Sequence, residues 1–558
     1  MKYALRAVSS ALILAFMLAA LGALVVVIVL VVATLLYIAF MAGGKWAVGA
    51  GLVVVGILAA VGLGLRATRR HLRTRAVGVS IARDVQPLFW VDIYRVAEGL
   101  GLRSPDEVLI FPDTKVTAWG HRTWLGLRPG VRRLHLGLPL LAGLTERELR
   151  AVVAHAFCRS WGHISLARVI QYGQAIIWPV ADRLGEESKV GRLAGRYRRK
   201  YDEVSSPVVR RHELALDRLC ADFAGNNATA AALSEVAVLS KGWAGFVGGY
   251  TAPAAAVGRR PDDVFAGFTS FMHEPGRREQ LADSVAEPTP EEPEARDSLL
   301  SLGERLAAIA ALPEDNIHDK SGPALGLMRY PDQVIRHVEE AMFGGAEFVP
   351  ETWEDIVPEA ARAAAYDDAK QLARLAHEGG LGRTLSVATL LELLSFGFVD
   401  EMTRPLLSGG PSPELEREMA NRLVTGFLAT AAIECGTASY RFSWSVARQL
   451  VDEQGAVDDL PLLVETVLAD GSTVATLKLW LEAHRVSQQL ELGIDPEQVM
   501  PRAVPDNDAA DAPVGRAADG PAGRAADEAA DGGVDGPSQA PADDPRAVLV
   551  PDSRAASA

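Results

Sequence analysis

Apolar and polar positions divide the chain into regions of different pattern. From Ser10 to Phe40, and again from Ala47 to Leu65, no charged residue interrupts the run. The first stretch is roughly 30 residues and the second about 20, and a helix of about 20 apolar residues crosses a bilayer core. Two membrane spans are therefore expected within residues 1–75. Lys2 and Arg6 precede the first span, Arg66, Arg69, Arg70, Arg73 and Arg75 follow the second, and only Lys45 lies between them. The positive-inside bias then predicts a multi-pass protein of the cell membrane with its main domain cytoplasmic.

Beyond the anchor the period shortens. In "QPLFWVDIYRVAEGLGL" the residues Phe89, Ile93, Val96 and Leu100 fall at helical spacing and predict an amphipathic helix. The runs "DEVLIFPDTKVTAWG", "TWLGLRPG" and "RRLHLGLPLL" are short, β-leaning and broken by Pro, Asp and Gly, which predicts a small antiparallel sheet. Next, "LTERELRAVVAHAF" carries Thr145 with Glu148 three positions on, the signature of a capping box at a helix start. A further helix is expected over "SSPVVRRHELALDRLCADFAGNNA", opened by Ser206 and Pro207 and closed by Gly225 and Asn226. Glu213, Asp217, Cys220 and Ala224 share one face of it. "VAEPTPEEPEARD" reads as an exposed connection, and residues from about 322 to 490 as almost wholly helical. After Pro501 the chain turns to Ala, Asp, Gly and Pro, with too little apolar surface to offset the entropy of ordering.

Composition narrows the chemistry. A net charge of −14 argues against nucleic-acid binding, which needs a basic face to displace counterions. Three cysteines, Cys158, Cys220 and Cys435, lie far apart and are odd in number, so a disulfide framework is not expected.

The segment "AVVAHAFCRS", with "LHLGLPLLAGLTERELRAVVAH" leading into it and "PVVRRHELALDRLCADFAG" following, resembles the HtpX-like and CAAX-prenyl-protease-like membrane zinc metallopeptidases, peptidase family M forty-eight. The resemblance runs from the anchor to about residue 312. It implies a zincin-like domain in which two histidines of an H-E-x-x-H helix and a downstream Glu hold zinc, while the Glu between the histidines serves as base. Carried over, His155 falls on the first ligand and Glu213, 58 positions on, on the third, with Asp217 on the following acidic position. Ala156, however, stands at the general base, and Arg159 at the second histidine. A Ser/Thr-His-Pro landmark ahead of an Arg-led helix is reduced to Ser298 and Arg305, with Leu299 and Leu300 for His and Pro.

Alanine cannot take a proton from water, and loss of general-base help alone costs about 100- to 10,000-fold in rate. A unit charge pair about 4 Å apart is worth roughly 4 kcal/mol at an effective dielectric of about 20, so a divalent ion beside Arg159 meets roughly twice that as repulsion. If the fold is kept, Arg159 is expected to face Glu213 across the vacated site, where a guanidinium could pair with the carboxylate through two hydrogen bonds. Cys158, one turn from His155 and beside Arg159, is in a position that could favour a thiolate.

The sequence thus predicts a mainly α fold with a small antiparallel β-sheet, of α+β class. A zincin-like metallopeptidase domain over 76–320 lies behind the anchor. A helical region over 321–500 and a disordered acidic tail over 501–558 follow. The expected function is that of a bacterial-type pseudopeptidase acting by binding membrane proteins or peptides in the inherited cleft. The alternatives are an active zinc metalloendopeptidase using substitute ligands such as His163 or Cys220, and an unrelated helical membrane scaffold.

Overall fold

The computed structural model describes residues 34, 78–120, 131–161, 170, 189–286, 300–313, 321–344, 348–382, 384–406 and 413–495. Apart from Thr34 in the first, the two expected spans lie outside the described residues, as do His163, Ser298 and the tail over 501–558. Among the described residues no helix is long and apolar enough to cross a membrane, which runs against the two-span, multi-pass placement expected from the sequence. That placement is set aside. The long helices that are described fail on charge rather than on length: Lys189–Ala224 has 36 residues and Trp353–Glu378 has 26, and both carry acids and bases throughout.

The described chain is mainly helical with small sheets. The sheet next to the site comprises β1 (Val79–Ser80), β2 (Glu107–Phe111), β3 (Val116–Gly120) and β4 (Arg132–Gly137), in the order β1-β2-β4-β3. It is mixed rather than antiparallel, because β2 and β4 run parallel while the two outer pairs run antiparallel. The reason is the position of β4. Its Leu134 and Leu136 are fully buried, so it takes the centre between β2 and β3, although β3 is next to β2 in sequence. At the end of β4, Gly137 is required by close approach, since a Cβ there would collide with the Asp113 carbonyl.

Helix α1 (Pro87–Gly99) forms as its period predicts and buries Phe89, Ile93 and Val96. Helix α2 (Glu146–Trp161) starts at the expected capping box: Thr145 N–H donates to Glu148 Oε2 at 2.8 Å, and Glu148 N–H to Thr145 Oγ1 at 3.4 Å. It lays Leu149, Val153, Ala154 and Phe157 into the core shared with the sheet and α1. Helix α3 (Lys189–Ala224) departs from expectation, since it begins well before Ser206 and carries Pro207 inside. A proline removes one helical hydrogen bond, here the one to the Glu203 carbonyl, yet the helix passes through, and Ser206 Oγ donates to the neighbouring Asp202 carbonyl at 2.5 Å. It does stop where expected. Gly225, at φ +102°, takes a backbone conformation that side chains disfavour, and α4 (Asn226–Phe246) starts at once.

Further along lie α5 (Val264–Met272), α6 (Leu302–Ala310), α7 (Pro331–Met342), α8 (Trp353–Glu378) and α9 (Pro413–Glu434). Helix α8 spans two cores: Trp353 and Val357 belong to the one beneath the sheet, Ala369, Leu372 and Ala376 to a second built with α9. The C-terminal region also contains a hairpin, β5 (Ala438–Arg441) with β6 (Gln449–Asp452), which helical patterning alone did not predict. Its connecting segment reaches back to the first core. Trp444 lies 5.4 Å from Trp353, Tyr250 donates to the Ser443 carbonyl at 2.8 Å, and Arg277 to the Trp444 carbonyl at 2.7 Å.

One half-buried acid makes this packing sensitive to pH. Glu339 of α7 accepts from Phe265 N–H at 2.9 Å, at the start of α5, where Asp263 caps the same helix. Burial, reinforced by the Asp263 charge and opposed by the amide bonds, pushes the Glu339 carboxyl up to about 7. A raised carboxyl favours the folded state below its unfolded value of about 4.3, and that contribution disappears as pH rises through about 7. Replacing Glu339 by Gln removes the proton linkage. Thermal denaturation from pH 4.5 to 8 should therefore show wild-type protein losing stability relative to Glu339→Gln across this window; a constant difference would refute the linkage.

Candidate functional site

The capping box fixes the phase of α2, and with it the residues that face α3. His155 and Arg159 stand one turn apart on that side. On α3, the same spacing brings Glu213 and Asp217 to meet them. His155 Nε2 lies 3.5 Å from Glu213 Oε2 and 3.7 Å from Asp217 Oδ1. Four sequence-predicted residues are thus brought together. Arg159 does face Glu213, but at 3.8 Å from Nη1 to Oε1, which is an ion pair and not the two-bonded fork expected from the sequence.

The fork is made by another arginine. Arg305, on α6, donates from Nε to Asp217 Oδ2 at 2.8 Å and from Nη2 to Oδ1 at 2.5 Å. Its Nη2 also approaches His155 Nε2 to 3.5 Å. The sequence marked Arg305 only as a surviving landmark. The usable signal was the Ser301–Glu304 capping box before it, which orients α6; Glu304 both caps this helix and accepts from Arg210 of α3 at 2.5 Å. Consecutive residues Glu304 and Arg305 therefore clasp α6 to α3 by charge pairs of opposite sense.

Burial sets the chemistry of each group. The Asp217 side chain is 2% exposed and its charge is balanced by Arg305. Burial works against the Arg305 charge, but the hydrogen bonds and charge of Asp217, with Glu213 behind, hold its guanidinium above the usual arginine range. Ala156 is 5% exposed and packed in the core, where it offers only a methyl group. Cys158 is half-buried, and burial pushes its thiol up, against the thiolate that Arg159 was expected to favour. Cys220 is buried in the core and its thiol is also driven upward by burial, which removes it as a ready substitute ligand.

A zinc ion fits this set poorly. Catalytic zinc takes three protein ligands and a water, and of the three matched ligand positions only those of His155 and Glu213 carry a ligating side chain. Asp217 has both oxygens engaged by Arg305. The Arg305 guanidinium lies against His155, and that of Arg159 against Glu213, so a divalent ion would sit between two cations. No grouping of three or more His, Cys, Asp or Glu suited to a metal occurs among the described residues.

Compared with protein-family models, with curated proteins and with solved structures, the chain gave no match in any of the three.

The two arginines should differ sharply on removal. Arg305→Ala leaves the Asp217 carboxylate buried without its partner, and a loss of about 3–5 kcal/mol is expected. Arg159 is 54% exposed, and Arg159→Ala should change stability by no more than about 1 kcal/mol. Urea denaturation of both variants checks this, and equal losses would contradict the assignment of Arg305 as the structural cation.

Proposed function

We propose that this chain is a non-proteolytic relative of the HtpX-like and CAAX-prenyl-protease-like metallopeptidases, acting by binding polypeptide in a cleft inherited from a zinc site. The observation that carries this reading is the 3.5 Å between His155 Nε2 and Glu213 Oε2, from helices whose sequence order matches that of the family's ligands. Two ligands on one tetrahedral zinc, with bonds of about 2.0–2.2 Å, stand about 3.4 Å apart. The first and third ligand positions therefore keep a metal-site spacing. The means to use a metal are gone: Ala156 offers no base, Arg159 replaces a ligand with a cation, and Arg305 holds Asp217.

Peptide binding is supported by the sheet beside α2. Among the described residues β3 pairs with β4 alone, and its Ala118 packs into the same core as α2. A strand edge presents amides and carbonyls in a row, which an extended peptide can extend by β-augmentation. Such a cleft retains binding after hydrolysis is lost, and with it a regulatory role on the bound chain.

Metal analysis of the purified full chain tests the reading. Wild-type protein should hold well under one zinc per chain and leave casein uncleaved. Arg159→His should take up zinc toward one per chain, and the added change His155→Ala should abolish that uptake. Stoichiometric zinc in wild-type protein, lost on His155→Ala, would overturn the proposal; a folded Arg159→His variant that ignores zinc would remove the argument from descent.

A further inference from the structure

The side of α3 that carries Glu213 and Asp217 is taken up by α2 and α6. Another side faces solvent. Buried residues recur along the helix at Tyr201, Ser205, Val209, Leu216 and Cys220, a helical spacing that passes through Pro207 and keeps one phase on both sides of it. Among the described side chains of α3, the exposed ones are of few kinds. Arg192, Arg196, Arg199, Lys200, Arg211 and Arg218 are bases, Glu203 and Asp222 are acids, and Leu193, Ala215 and Leu219 are apolar. Six bases against two acids give this face a positive excess, on a chain whose net charge is −14.

The apolar positions are periodic. Leu193, Val204 and Ala215 stand eleven residues apart, and so do Tyr197, Val208 and Leu219, each four positions after a member of the first set. Eleven residues are close to three helical turns, so residues with this period form a nearly straight stripe along the helix. From Leu193 to Leu219 the stripe extends over about 39 Å, at roughly 1.5 Å per residue. None of its six residues is buried: Leu193 is 67% and Leu219 49% exposed, Ala215 is exposed, and the other three are half-buried. At about 100° per residue the bases Arg196, Lys200, Arg211 and Arg218 all fall along one flank of the stripe.

We propose that this face of α3 is an interaction surface for a helix of a partner protein, one whose own apolar stripe is bordered by Asp and Glu. A straight apolar stripe takes a second helix along its length, and the basic flank sets the charge that helix must carry. Other occupants fit less well. An antiparallel pair of copies would set the basic flank against itself. DNA or RNA would meet a chain of charge −14. An anionic bilayer takes up the apolar face of a helix, and here the exposed bases outnumber the exposed apolar residues. Each exposed ion pair contributes little, so the apolar stripe supplies most of the affinity and several bases together supply the preference for acids.

Fluorescence anisotropy with the full chain tests this, using two fluorescein-labelled helical peptides long enough to cover the stripe. Both carry Leu pairs repeating every eleven positions, flanked by Glu in one peptide and by Lys in the other. A labelled DNA duplex and phosphatidylserine-containing vesicles serve as the other two probes. Wild-type protein should bind the Glu peptide about ten-fold or more tighter than the Lys peptide. That preference should shrink as salt is raised from about 0.05 to 0.5 M, because exposed pairs are screened. The combined change Arg196→Glu, Lys200→Glu and Arg218→Glu, all at exposed positions, should reverse the preference. Leu193→Ser with Leu219→Ser should weaken both peptides, and circular dichroism checks that each variant keeps its helix content. Equal binding of the two peptides by wild-type protein, or a preference that survives the triple reversal, would overturn the proposal. So would binding of neither peptide, whether or not the duplex or the vesicles bind; none of these results bears on the cleft at His155.

Discussion

A carboxylate with 2% of its surface exposed stays charged only if a cation is built in beside it, and this constraint organises the region around Asp217. The cation, Arg305, comes from a helix 88 positions downstream, so α6 must dock on α3 for the acid to be tolerated there. The Arg210–Glu304 pair and the Ser301 cap hold that helix in phase. His155, on a third helix, is then caught between the Asp217–Arg305 pair and Glu213. A site that resembles a metal centre is in this way closed by charges of its own.

Charge also separates the roles of the two arginines. A guanidinium bound by two hydrogen bonds to a buried acid is structural, because its loss strands a buried anion. A half-exposed guanidinium with a long, single contact adds little to folding. The same residue type thus serves packing at Arg305 and stands largely in solvent at Arg159.

Local patterning carried much of what was legible. The period of Phe89, Ile93 and Val96 gave α1, the Thr145–Glu148 box gave the start of α2 and hence the facing of His155 and Arg159, and Gly225 gave the end of α3. Elsewhere long-range packing prevailed over local signals. Ser206 and Pro207 looked like a helix start, yet both lie inside a helix of 36 residues. The three β-leaning runs suggested an antiparallel sheet, whereas burial of Leu134 and Leu136 drew β4 to the centre and made one pair parallel. The hairpin at Ala438–Arg441 was hidden in a region that otherwise reads as helix.

The sequence by itself determined which residues could meet on α2 and α3, because helical spacing is a local property and the cap sets its phase. It also determined that the base and one ligand of the metallopeptidase pattern are absent, since Ala156 and Arg159 cannot supply that chemistry in any fold. Only the tertiary structure decided how the charges pair. Asp217 takes Arg305 rather than the neighbouring Arg159 because pairing between distant segments depends on helix docking, which no local spacing encodes.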